Sequence, residues 1–336
     1  MSHDVTGKVA AVPVRRANRK ARRSRLIPSA LLVGALGTVV PLTFAGTPAG
    51  AAAPIVSGYT LVTAQGGVFE FGGAPSVGGA FGSTSAPVVG IAPTADGLGY
   101  WVATANGGVF SYGDAKFYGS LGATKLNSPI AGIVPTADGL GYYLVAGDGG
   151  VFTFGDAQFF GSAGSLALVS PIVGMSLTAS GNGYYLVGAD GGVFTYGDAV
   201  FAGTLSSIFN GPSPDGPAVG IAANPLGGGY LIATAQGAIV AFGGAPFFGS
   251  PVLSGVTPAA PLVGITYAPD GTGYWATGAD GGIFAFNSSV TVGTGSTSSL
   301  SVTGTAHYFG SVPALLGAAG LTLPATTTIV GFAPTL

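Results

Sequence analysis

The sequence predicts an all-β protein, a six-bladed β-propeller of four-stranded blades closed by the C-terminal strand joining the N-terminal blade. Three observations carry that prediction. A unit of about 42 residues recurs six times along the chain. Each unit divides into four short apolar runs separated by tight turns. The two ends of the array are complementary pieces of one unit.

A Gly-Tyr pair opens the units at Gly58, Gly99, Gly141, Gly183, Gly229 and Gly273, spaced 41, 42, 42, 46 and 44 residues apart. An apolar pair before glycine marks a second position, at Gly90, Gly132, Gly174, Gly220, Gly264 and Gly331. Between the markers the order is constant. In the second unit "PVVGIAPT" is an apolar run, "DGLG" turns, "YWVATA" alternates, "NGG" turns, "VFSY" follows, "GDA" turns and "KFYGS" ends the unit. No segment has helical spacing, and 62 glycines penalise helix throughout. A parallel β-helix has shorter coils and needs no hairpin-like reversals. A membrane barrel needs strands of about nine to eleven residues; these runs are nearer five or six.

The first unit begins at "GYTLV" and lacks a "PIVGI" run, while the chain ends on that run, "TIVGFAPTL". Pairing the two completes one blade and removes two open edges. The interval from Gly264 to Gly331 is 67 residues, about one period plus an insertion near 287–303 that forms an extra β-hairpin or a long loop. The propeller therefore occupies 54–336.

Residues 1–53 read as a signal peptide and export leader. Eight of the ten Lys and Arg residues fall within the first 25 positions, followed by "LIPSALLVGALGTVVPLTFA" and an alanine-rich exit. The apolar run is also about long enough to span a membrane, but Pro28, Pro41 and the exit favour cleavage near Ala51 to Ala53. Past the leader stand eleven Asp and Glu against two Lys (Lys116, Lys125), a net charge of −9. With no Arg remaining, nucleic acid is excluded as a partner, since a phosphate row needs basic contacts. The mature chain has no expected membrane span. Cysteine is absent, so the exported chain forgoes disulfides and must rely on its core.

The stretch "GYWVATANGGVFSYGDAKFYGS" resembles the repeats of secreted actinobacterial proteins, whose units have the form GYWLVASDGGVFSFGDAxFxGS. The likeness covers the whole mature chain. Such repeats often sit beside a hydrolase domain; none accompanies them here. The "DGGVFTFG" piece is also distantly similar to regulator-of-chromosome-condensation repeats, with Phe or Tyr where that family has Trp. The resemblance implies a propeller and an extracellular setting, and fold alone does not imply function.

The charged and aromatic residues sit at repeating turn and strand positions. Asp148, Asp190, Asp280 and Asn106 in the "DGG" and "NGG" turns read as hairpin formers, and Asp114, Asp156 and Asp198 in "GDA" as caps on backbone N–H groups. A ring of Ca²⁺ sites lacks the closely spaced acidic run such loops use, and no other metal or cofactor is expected. A Ser-His-Asp triad would depend on His307, the one mature histidine, which occupies a strand position held elsewhere by Lys116, Gln158 or Val200. No catalytic residue is assigned. Trp101 and Trp275 stand where other units carry Tyr143, Tyr185 or Leu231 and read as packing residues.

The expected function is non-catalytic: an extracellular binding or scaffolding propeller, secreted or at the cell surface, whose partner is a protein or a glycan. The alternatives are a secreted carbohydrate-active hydrolase or lyase on a propeller scaffold, and a surface-layer structural subunit. The links between units vary most, and loops on a rigid scaffold are where recognition usually sits. The expected contacts are therefore Phe209, Asn210, Asp215 and Lys125, with the turn residues Gln65, Asn106 and Gln236.

Overall fold

The computed structural model describes residues 58–287, 291–292, 300–301, 311–318 and 327–335. The leader and His307 lie outside the described residues. The described residues are all-β, built of six three-stranded antiparallel sheets. The first holds β1 (Gly58–Thr63) and β2 (Val68–Gly72); the second β3 (Val88–Pro93), β4 (Tyr100–Thr104) and β5 (Val109–Tyr112). The third holds β6 (Ile130–Pro135), β7 (Gly141–Ala146) and β8 (Val151–Gly155); the fourth β9 (Ile172–Leu177), β10 (Gly183–Gly188) and β11 (Val193–Gly197). The fifth holds β12 (Ala218–Ala223), β13 (Gly229–Thr234) and β14 (Ile239–Gly243); the sixth β15 (Leu262–Tyr267), β16 (Gly273–Gly278) and β17 (Ile283–Asn287). The insertion contributes a two-stranded ladder, β18 (Thr291–Val292) against β19 (Leu300–Ser301). The last strand, β20 (Ile329–Thr335), returns to complete the first sheet, with Leu61 opposite Phe332 and Thr60 opposite Ala333.

One register serves every sheet. In the third, Tyr142 faces Phe154 across β7 and β8, and Leu144 faces Ile133 across β7 and β6. The apolar-apolar-glycine marker is a β-bulge: the register slips between Ile130 and Gly132, and likewise between Val88 and Gly90, Ala218 and Gly220, and Leu262 and Gly264. The glycine that follows lets neighbouring sheets approach. A Cβ on Gly331 would lie 2.9 Å from Ile91 Cγ2 and 3.0 Å from Ile91 N. Six first strands thus crowd together, β3 on β6, β6 on β9, β9 on β12, β12 on β15, β15 on β20 and β20 on β3. Val89, Ala131, Val173, Val219, Gly264 and Val330, from all six, line one cavity of about 150 Å³.

The core lies between sheets rather than within them. One cluster joins Trp101 and Ala103 of β4 to Tyr142 and Leu144 of β7; the next joins Tyr143 and Val145 of β7 to Tyr184 and Leu186 of β10. Middle strands such as GYYLVA are therefore buried on both faces, which is why they read as continuous apolar runs. Backbone hydrogen bonds run between units at one end of the strands. Ala105 N donates to Pro87 O and Ala105 O accepts from Ile130 N; Ala279 O accepts from Ile329 N, and Ala64 N donates to Thr328 O.

Three expectations need revision. In the five units where it is described, the fourth run is not a strand. Gly119, Gly161, Gly203 and Gly249 stand there at φ between 130° and 136°, a conformation that glycine adopts readily. The ring of Phe154 lies where a Cβ on Gly119 would be, 2.7 Å away. The backbone of the run bonds instead to a tyrosine of the following sheet. Two short helices also appear in the array. In α1 (Leu205–Phe209) Thr204 and Ser207 form a reciprocal capping box, a signal carried by two residues and invisible to periodicity. In α2 (Val312–Ala318) Ser311 Oγ accepts from Ala314 N. Finally, the expected backbone N–H contacts of the "GDA" aspartates, present at Asp156 and Asp198, are joined by side-chain hydroxyls: Thr94 Oγ1 reaches Asp114 at 3.1 Å, and Thr178 Oγ1 reaches Asp198 at 2.8 Å. No helix among the described residues is long and apolar enough to cross a membrane.

Candidate functional site

The strands have two ends. One carries the "DGG" turns and the links between units; Leu121 N of a link donates to Gly107 O of its own turn. The other carries the "DGLG" and "GDA" turns, which meet where Asp156 N donates to Leu140 O at 3.2 Å.

The seven expected contact residues are placed at the link end without forming one cavity. Phe209 closes α1, and Asn210 follows it in the left-handed region at φ 54°. Asp215 O accepts from Gln236 N at 3.1 Å, so those two meet. Lys125 is exposed on the link before β6. Asn106 turns inward, accepting from Thr104 Oγ1 at 2.7 Å and Gly108 N at 3.3 Å. Gln65 lines an open recess of about 480 Å³ with Phe81, Thr84, Ser85 and Pro87, which offers no charged group.

The turn aspartates are occupied locally. Asp148, Asp190 and Asp280 each accept from the glycine N–H two residues on, at 2.9–3.0 Å. At the other end Asp96 and Asp138 accept from Leu98 N and Leu140 N, both at 3.1 Å. Asp138 and Asp156 influence each other's carboxyls. The Leu140 N–H holds the Asp138 carboxyl below its usual range, while partial burial and the contact with Asp138 push Asp156 up. Among the described residues no group of three or more His, Cys, Asp or Glu side chains is placed to hold a metal. Trp101 and Trp275 are fully buried, and Trp101 Nε1 donates to Lys116 O at 2.6 Å.

Grooves run between neighbouring sheets at the "DGLG" end. Between the second and third sheets Tyr118 fills the groove, its hydroxyl donating to Gly139 O at 3.2 Å. The remaining space, about 190 Å³, is ringed by Asp96, Asp114, Asp138, Lys116 and Leu140. Phe160 and Phe248 stand at the position of Tyr118 in later units, and Val77 in the first. Between the fourth and fifth sheets that position is Ala202, and Gly228 replaces Leu140 across the groove. Loss of both side chains leaves a cavity of about 400 Å³, within the usual range for small-molecule sites.

The polar groups of this cavity converge on Asp198. Thr178 Oγ1 donates to one carboxylate oxygen at 2.8 Å and Ser180 Oγ to the other at 2.5 Å. The two hydroxyls hold the carboxyl below its ordinary value, so it is charged at neutral pH. Opposite, Asn224 is fixed by Leu226 N on its oxygen and by Gly227 O on its amide. Tyr185 and Ala223 supply an apolar floor, with the exposed Ala179 and Val200 at the rim. Burial pushes the Tyr185 phenol up, and its hydroxyl meets the Val200 backbone. The sequence signal was present as "VFAGT" in place of "KFYGS" and "PLGGG" in place of "ADGLG". It becomes readable only once the two segments are known to face each other.

The chain matches no family model and no curated protein.

Proposed function

We propose that the six sheets are blades of a closed β-propeller, and that the protein is exported and acts as a non-catalytic binding module at the cell surface or beyond it. The observation that carries the binding reading is the Ala202–Gly228 groove, where the repeat gives up two filling side chains and gains a cavity around one charged carboxylate. The propeller reading is supported by β20 pairing with β1 and by the cyclic order of contacts among the first strands. A rigid ring of repeated units presents such a site without moving. The non-catalytic reading rests on the aspartates, whose oxygens serve turns and hydroxyls in unit after unit. The test is retention of the protein on purified cell-wall polysaccharides and on intact envelope, with soluble products assayed in the same tubes. Retention without cleavage is expected; released saccharide would establish the hydrolase alternative.

A second reading, a subunit of a surface layer, is favoured by one observation. Phe117, Phe159, Phe201 and Phe247 occupy the same outer position of successive units and are all exposed, the first three by more than half. Lateral packing of copies through these rings predicts concentration-dependent sheets by electron microscopy, abolished by Phe117→Ser with Phe159→Ser.

A further inference from the structure

We infer that the Ala202–Gly228 groove binds a neutral sugar residue through a hydroxyl held by Asp198. The inference rests on the binding reading above and adds its ligand class and its contacts.

The charge of the groove excludes anions. Asp198 is ionised, no Lys or Arg lines the cavity, and the chain past its leader carries −9. Phosphates, sulfates and uronates would meet repulsion on approach and no counter-charge on arrival. A carboxylate has about four acceptor sites. Ser180 and Thr178 occupy one on each oxygen and the Asp198 N–H reaches the same carboxylate, so about one acceptor site is left for the ligand. A charged acceptor held in this way suits a sugar hydroxyl, and charge-assisted bonds of this kind are the strong ones.

The same two hydroxyls fix the orientation of the carboxylate, and Ser180 is itself fixed by Asn182 N at 3.0 Å. The site is thus held in place before the ligand arrives, which lowers the ordering cost of binding. The opposite wall is the backbone of Gly227, Gly228 and Gly229, all at positive φ and without side chains. It lets a flat ring slide between the sheets. The C–H faces of a sugar then rest on Tyr185 and Ala223. The size, about 400 Å³ and open to solvent, suits a terminal or branching sugar better than a buried oligosaccharide.

The repeat supplies its own blocking variant. Phe160 and Phe248 show that the array accommodates phenylalanine at the position of Ala202, so Ala202→Phe closes the groove without a new kind of packing. The probes are methyl glycosides of the gluco, galacto, manno and arabinofuranosyl series, with inorganic phosphate and glucuronate as anionic comparisons, read by saturation-transfer NMR and calorimetry. At least one neutral glycoside is expected to bind. Ala202→Phe should abolish that binding, and Asp198→Asn should weaken it about tenfold or more, the worth of one hydrogen bond to a charged group. Asp156→Asn, the same change in the third sheet, should leave it unaltered. Unchanged affinity in both Ala202→Phe and Asp198→Asn, a preference for phosphate or glucuronate, or no glycoside bound at all would each overturn the inference. Retention on cell wall separates the two levels. A wild type and an Ala202→Phe variant retained equally would leave the binding reading standing and remove this site; a wild type that is never retained would remove both.

Discussion

The Tyr142 hydroxyl donates to the Gly119 carbonyl at 2.6 Å and accepts from the Tyr118 N–H at 3.2 Å. Tyr142 lies on the middle strand of the third sheet and Gly119 near the end of the second unit, so one phenol ties two units together. The same clasp recurs from Tyr184 to Gly161 and Phe160, from Tyr230 to Gly203 and Ala202, and from Tyr274 to Gly249 and Phe248. Tyr100 reaches Gly78 in the same sense. This is why each unit opens with Gly-Tyr. The tyrosine replaces the ladder that a fourth strand would have made.

Removing one clasp isolates its worth. Tyr142→Phe leaves the packing intact and strands a carbonyl and an N–H, a loss of about 1–3 kcal/mol. Thermal unfolding should begin a few degrees lower. A variant melting with the wild type would show that the phenol contributes nothing to the joint.

The glycines of the apolar-apolar-glycine marker are not equivalent. Gly331→Ala drives a methyl into Ile91 and should cost about 1–3 kcal/mol through overpacking. Gly264→Ala meets nothing within 4 Å and should be near neutral. Equal loss from both would refute the crowding of first strands around a common cavity.

Alkaline pH should undo the clasps together. Burial is the largest cause that raises the phenols of Tyr142, Tyr184 and Tyr230 above the ordinary value of 10.0, and it pushes Tyr274 up to about 12. A folded value above the unfolded one means stability is complete below pH 10.0 and is lost as pH rises through the folded values. Ultraviolet titration of the phenols should therefore show a late group ionising together with the loss of ordered structure. Early, independent ionisation of all thirteen tyrosines would contradict their burial.

Much of this architecture was legible in the sequence because its determinants are local or exactly repeated. The "DGG" turn needs an oxygen and an N–H two residues apart, so Asp148 announces its own role. The complementary ends predicted that the last run would join the first sheet, as β20 does beside β1. What escaped depends on residues far apart in the chain. "KFYGS" looks like a strand until Phe154 and Tyr142 of the next unit are known to occupy its edge. The hydroxyl partners of Asp114 and Asp198 lie 20 residues away, whereas turn chemistry pointed to nearer N–H groups. The groove is written in Ala202 and Gly228, which are unremarkable singly and meet only across two sheets.

The pairing of β1 with β20 is the claim on which the proposed closed propeller depends. The chain has no cysteine, so one engineered pair reports on it without interference. Thr60 and Ala333 stand directly opposite in the register and are both buried, within the span a disulfide bridges. Oxidation of the Thr60→Cys, Ala333→Cys double variant, read by non-reducing electrophoresis and peptide mass mapping, should give a monomer with one internal bridge and a raised melting temperature. Free thiols after oxidation, or a bridge formed only between two chains, would contradict a ring closed by its own C-terminal strand.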